Sequence, residues 1–228
     1  MDKVLIIAAH PDDEVLGVGG TIAKYTSKGI EVSLLIVTDG STSQYRNDPK
    51  LQEIMEEKKL ETRKAADILG IKNIYYGNLP DMKLDTVPHI EINKVIENVI
   101  EEEKPTIVFT HFGGDVNKDH QIVFESTLVA CRPVSDQIVK KIFLYSVPSS
   151  TEWNVQTAHT AFMPNWYENI EGDFAEKKYA AMSCYEEELR EYPHPRSIEY
   201  LENADISEGN RVGRLSAESF MLVRNIVD

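Results

Sequence analysis

The sequence predicts an α/β protein, a mainly parallel sheet with helices covering both faces. Three observations carry this reading. Residues 4–9, 32–38, 107–110 and 142–147 are short apolar runs, the pattern of strands buried on both sides. The segments between them are longer and several place apolar residues at helical spacing. Strand and helix alternate over the first 150 residues, which requires crossover connections and so parallel neighbours.

The elements follow in order. Strand 4–9 leads into a helix over about 14–27, stopped by Gly29. Strand 32–38 ends in the turn signal Asp39-Gly40, and 41–50 is a polar surface loop. The charged stretch 51–69 is a long helix closed by Gly70, and 74–76 is a short strand. Ile92, Val95, Ile96, Val99 and Ile100 fall at i, i+3, i+4, i+7 and i+8, an amphipathic helix that Pro105 ends. Strand 107–110, a loop over 111–119, a helix over 120–131 and strand 142–147 complete the alternating part. The last third is less regular. It holds a Pro/Trp segment at 164–167, a helix over 176–189, a loop at Pro193-His194-Pro195 and a late strand over 219–227. With no repeat and no low-complexity linker, residues 1–228 are expected to form one domain, the tail packed on the sheet and shaping one side of a pocket.

A net charge of −14 argues against a phosphate-tracking surface and so against nucleic acid as partner. The two cysteines, Cys131 and Cys184, form no CxxC pair and are expected to be reduced thiols. The N-terminus has no signal-peptide plan, and no apolar run approaches the roughly 18 residues of a membrane span. These features point to the cytoplasm. They leave a homo-oligomer open.

Chemistry concentrates where strand 4–9 ends, in Ala9-His10-Pro11-Asp12-Asp13-Glu14. Ligands of open α/β sheets bind beyond the carboxyl ends of the strands. His120, following strand 107–110 and its loop, can lie beside His10. Two imidazoles and one carboxylate, from Asp12 or Asp13, make a three-ligand catalytic zinc set that leaves a place for water. The other aspartate can then take a proton from that water. A bland alternative is a solvated turn in which an aspartate caps the following helix. Gly17-Val18-Gly19-Gly20 is not a dinucleotide loop, because Ile22 stands where G-x-G-x-x-G needs its last glycine.

These residues resemble the signature of the PIG-L/LmbE family of zinc-dependent N-deacetylases. The match lies in Ala9-His10-Pro11-Asp12-Asp13-Glu14 with Gly19-Gly20, and in Asp115-Val116-Asn117-Lys118-Asp119-His120. Thr38-Asp39-Gly40, Ala130-Cys131-Arg132-Pro133, His194-Pro195-Arg196-Ser197 and Ala217-Glu218-Ser219-Phe220 fit the same plan. The resemblance implies a Rossmann-like fold and hydrolysis of an N-acyl, usually N-acetyl, amino sugar or its conjugate. It implies His10, Asp13 and His120 as metal ligands and Asp12 as general base. Zinc is the implied metal, although two histidines and a carboxylate also suit Fe2+. Other substrates open to the same chemistry are a non-sugar amide or a sugar–thiol conjugate. A weakly catalytic metal- or carbohydrate-binding protein is the alternative from another class.

One position departs from the family. Many members carry a histidine where this chain has Asn117. An amide can donate to an oxyanion but cannot carry charge or deliver a proton. His194, then His111, are the candidate imidazoles for that role. Asp119 either orients a ligand histidine or caps a helix. Asp39, Arg132 and Arg196 are the expected substrate contacts, the arginines for a phosphate or carboxylate. Trp153 and Trp166 either line a sugar site or pack.

Overall fold

The computed structural model describes residues 2–45, 47–134 and 137–227. Arg46, within the expected 41–50 loop, lies outside the described residues. The elements run β1 (Lys3–Ala8), α1 (Asp13–Ser27), β2 (Glu31–Thr38), α2 (Leu51–Leu69), β3 (Asn73–Leu79), α3 (His89–Glu103), β4 (Ile107–His111), α4 (Lys118–Ala130), β5 (Lys141–Tyr145), β6 (Trp166–Asn169), α5 (Asp173–Met182), α6 (Ile198–Arg211) and β7 (Ala217–Asn225). The strands form one sheet ordered β3-β2-β1-β4-β5-β7-β6. β1 to β5 are parallel, while β7 runs antiparallel to both β5 and β6.

Strand alternation sorts the core into two layers. Val4, Ile6 and Ala8 of β1, with Val32, Leu34 and Ile36 of β2, face α1, α2 and α5 through Leu16, Ile22, Ala65, Leu69 and Met182. Leu5, Ile7 and Leu35 face α3 and α4 through Ile92, Ile96, Ile122 and Val123. This is why the strands read as unbroken apolar runs: each successive side chain is buried on one layer or the other. Full burial of one such Leu or Ile stabilises by about 1.5–3 kcal/mol. Gly17 lets α1 approach the sheet, since a Cβ there would stand 2.3 Å from the Tyr145 ring.

Three departures from the sequence expectation concern the tail. The helix expected over 176–189 ends at Met182, and residues 183–190 are irregular. Tertiary bonds claim that stretch: Tyr185 donates to Glu14 Oε1 at 2.6 Å, and Glu188 accepts from Lys58 at 3.0 Å. α6 was not anticipated, because it buries only Leu201, Asp205 and Gly209 and so has little apolar period. Its sequence signal is the cap, Ser197 Oγ accepting the Tyr200 N–H. β6 exists only because β7 pairs with it.

A buried charge cluster fastens the tail to α1. Lys178 of α5 bonds Asp205 at 2.9 Å and contacts Glu218 of β7 at 3.0 Å. Glu218 also accepts the Gly20 and Thr21 N–H groups of α1 at 2.9 and 2.7 Å. Both cysteines are free thiols. Among the described residues, no helix is long and apolar enough to cross a membrane.

Candidate metal centre

The order β2-β1-β4 reverses direction between β1 and β4, so a crevice opens beyond their carboxyl ends. A cavity of about 180 Å³ occupies it, with His10, Asp12, Asp13, Asp81, Asn117, His120, Glu188 and Arg196 among its lining residues. The turn that carries His10 is prepared by its neighbours. Both the N–H and the Oγ1 of Thr38 donate to the Ala9 carbonyl. Ala9 N–H donates to His111 Nε2 at 2.8 Å, and His10 N–H donates to Asp13 Oδ2 at 2.8 Å. Gly40 allows the close pass of Pro11, whose Cδ would lie 2.6 Å from any Cβ there.

Three side chains converge. His10 Nδ1 is 3.3 Å from His120 Nε2 and 3.4 Å from Asp13 Oδ2, and His120 Nε2 is 3.5 Å from Asp13 Oδ1. Ligand atoms held at 2.0–2.2 Å around a tetrahedral ion are spaced roughly 3.3–3.6 Å apart. The outer ring nitrogens meet carboxylates. His10 Nε2 lies 3.2 Å from Asp119 Oδ2 and 3.3 Å from Asp81 Oδ1. His120 Nδ1 lies 3.2 Å from Asp115 Oδ2, off the line of an ideal hydrogen bond. Protons held on those outer nitrogens turn two lone pairs and a carboxylate toward one point, an arrangement that repels itself unless a cation sits among them. The residues present therefore fit a divalent metal.

The titration of these groups has the same cause. Burial alone would neutralise His10, but Asp119, Asp13 and Asp81 outweigh it and hold its pKa well above the usual value. His120 is likewise raised to about 9, burial being overcome by Asp13 and Asp115. Asp13 is held well below the carboxylate range, again against burial, by His120, His111 and His10. The cluster is a trap for positive charge.

Asp12 is built differently. Its backbone sits at φ +99°, a conformation that costs a non-glycine residue energy and recurs at functional sites. Its carbonyl accepts the Val15 and Leu16 N–H groups, whereas its side chain makes no capping bond. The helix-cap alternative therefore does not describe this carboxylate, which lines the cavity. Burial, then Asp13 and Glu188, push its pKa well up, and Arg196 opposes them. Beneath it, Glu14 accepts the Asp12 N–H at 3.1 Å and the Tyr185 hydroxyl, and burial raises Glu14 to about 7.

The model of the family described as PIG-L, GlcNAc-PI de-N-acetylase, matches residues 5–131, more than half of the chain. The chain belongs to the PIG-L family. A relative from Escherichia coli (strain K12), the uncharacterized deacetylase YaiS, is 28% identical over 187 residues, covering 78% of this chain and 88% of that one. Diacetylchitobiose deacetylase of Thermococcus kodakarensis is 40% identical over 106 residues, but this spans only 46% of the chain and 39% of the relative. The structure of N,N′-diacetylchitobiose deacetylase from Pyrococcus horikoshii superimposes with a TM-score of 0.77 at 23% identity, over 98% of this chain and 84% of that one. That likeness shows a shared fold.

Within this PIG-L fold, the structure brings His10, Asp12, Asp13, Asn117, His120 and Arg196 to one cavity. Asp119 stands behind His10 and also accepts the Met82 and Leu84 N–H groups. Four other candidates lie outside the lining of this cavity. Arg132 lies just past the C-terminal end of α4, in a hollow of about 450 Å³ lined by the C-terminal ends of α3 and α4 and away from the crevice, because α4 runs antiparallel to the strands. Asp39 Oδ1 accepts the Ser41 and Thr42 N–H groups and so shapes the loop after β2. His194 is not a lining residue; its ring meets Trp153 edge-on at 5.9 Å, and its Nδ1 accepts the Arg196 N–H. His111 is fully buried behind Asp13, accepts from Ala9, and is held neutral by burial and His120, its pKa near 4. Trp166 packs on Phe143, whereas Trp153 is 58% exposed. Sequence reasoning passed over Lys58, Asp81 and Glu188. None carries a local motif; only the meeting of α2, the β3 end and the post-α5 turn places them here.

Proposed function

We propose that this PIG-L protein is a metal-dependent hydrolase that removes an N-acyl group, acetyl foremost, from an amino sugar or its conjugate. The observation that carries the proposal is the triangle of His10 Nδ1, Asp13 and His120 Nε2, with the Asp12 carboxylate, which makes no helix-capping bond, lining the same cavity. The deacetylase names of the relatives support it. Two imidazoles and one carboxylate suit zinc, and Fe2+ takes the same donors.

In this reading His10, Asp13 and His120 hold the metal, and Asp119 and Asp115 orient the two imidazoles. A metal held by these residues would supply a lowered pKa for water and polarisation of the acyl carbonyl. Asp12 accepts the proton of the attacking water and returns it to the amine nitrogen as the C–N bond breaks, so acetate and a free amine leave. Asn117 uses Oδ1 to cap α4 through the Asp119 N–H. Its amide NH2, apart from a 3.5 Å contact to Met82 Sδ, is the donor offered to the acyl oxygen.

The test is acetate release by zinc-loaded protein from free, nucleotide-linked and lipid-linked N-acetylated sugars. Asp12→Asn is expected to lose about 10²–10⁴-fold in kcat while keeping its zinc. Full activity in that variant would remove Asp12 from the base role.

A further inference from the structure

One wall of the cavity carries alternating charges that the hydrolytic scheme does not use. Lys58 of α2 bonds Glu188 Oε1 at 3.0 Å, Arg196 Nη1 bonds Glu188 Oε2, and the same Nη1 lies 3.7 Å from Asp12 Oδ2. The three partners come from separate segments: α2, the turn after α5 and the loop before α6. All four residues line the cavity. Lys58 is buried, so the far end of the chain of charges is fixed inside the protein.

We propose that Arg196 is a positioning residue for Asp12, anchored by Glu188 and Lys58, and is not a receptor for an anionic group on the substrate. The proposal rests on the reading of Asp12 as the base. Asp12 has no capping bond to fix its side chain, and Asp13 beside it repels it. Arg196 attracts it from the other side. A planar guanidinium pinned by Glu188 is a rigid partner, as a flexible ammonium is not. Position matters because a general base works only within hydrogen-bond reach of its proton, and a misplacement of about 1 Å costs on the order of 100-fold. The cavity also carries Asp13 and Asp81, and both oxygens of Glu188 are occupied by the two cations. A carboxylate or phosphate entering would meet the carboxylates of Asp13, Asp81 and Glu188 at close range. An uncharged sugar meets no such obstacle.

The experiment compares Arg196→Gln, Arg196→Lys and Glu188→Gln as zinc-loaded proteins, with kcat, KM and zinc content for a neutral and a carboxylate-bearing N-acetylated sugar. The Arg196 Nη1–H resonance is followed alongside in wild type, Glu188→Gln and Asp12→Asn. Arg196→Gln is expected to lose about 100-fold in kcat on both sugars, with KM within about threefold and zinc unchanged. Arg196→Lys recovers part of the loss, because it keeps the charge without the fork. The resonance exchanges slowly in wild type and faster in both variants. A rise in KM confined to the carboxylate-bearing sugar, with kcat kept, would overturn the proposal and make Arg196 an anion receptor. Equal exchange in all three proteins would overturn the clamp itself. A slow wild-type resonance that both variants release, in a protein that hydrolyses no acylated sugar, would support the clamp and remove the deacetylase reading instead.

Discussion

Asp119 Oδ2 stands 3.2 Å from His10 Nε2 across 109 residues of chain. The same carboxylate accepts the Met82 N–H at 2.7 Å and the Leu84 N–H at 3.1 Å, so it is held from three sides. It thereby sets which nitrogen of His10 faces Asp13 and His120. Removing such a partner of a ligand histidine typically costs 10–100-fold in metal affinity. Asp119→Ala is expected to weaken zinc binding by about that factor, measured by competition with a chelator. Unchanged affinity would mean that His10 is oriented by Asp81 instead.

Metal removal should be visible in stability as well as in rate. The inward-facing donors repel one another without a cation, and a ligand at 100 times its Kd stabilises by about 2.7 kcal/mol. Chelated protein is expected to lose acetate release and melt earlier, and zinc should restore both. A melting temperature indifferent to zinc would contradict binding at this cluster.

Lys178 supplies the buried positive charge between Asp205 and Glu218. Lys178→Met leaves two buried carboxylates without it, while Glu218 still holds α1 through Gly20 and Thr21. Breaking one side of a buried pair costs about 3–5 kcal/mol. Urea unfolding should register a loss of that order, and a change below about 1 kcal/mol would show that the cluster tolerates rearrangement.

Glu168 of β6 gives a pH-dependent contribution whose sign is defined. Burial alone would raise its pKa, but hydrogen bonds from Lys24, Trp166 and Tyr25 outweigh it and hold it below the usual glutamate value of 4.5. A depressed folded-state pKa means that the unfolded chain binds the proton more readily. The stabilisation is therefore full above about pH 4.5 and fades as pH falls through the lower folded value. The stability gap between wild type and Glu168→Gln is expected to be larger at pH 7 than at pH 3. A gap that widens on acidification would reverse the assignment.

Much of the site was legible because it is local. His10, Asp12 and Asp13 lie in one turn at the end of a strand, so backbone geometry alone presents them together. The apolar runs of β1, β2, β4 and β5 and the period of α3 were equally readable, since burial on both layers leaves a direct mark on residue type. The tail was less so. α6 is mostly polar, β6 depends on pairing with β7, and 183–190 leaves the helix for bonds to Glu14 and Lys58 that no local pattern announces.

Residue pattern alone establishes the strand-and-helix alternation, the family resemblance and the cluster of donors after β1. Which distant groups complete that cluster depends on the folded chain. Arg132 and Arg196 look alike in sequence, yet one lies beside the C-terminal ends of α3 and α4 and the other faces Asp12. Asp39 and Asp81 both follow strands, yet only Asp81 reaches His10. Residue type and short-range spacing encode elements and their buried faces, whereas the meeting of side chains across a hundred residues depends on strand order and on which end of each helix is turned toward the crevice.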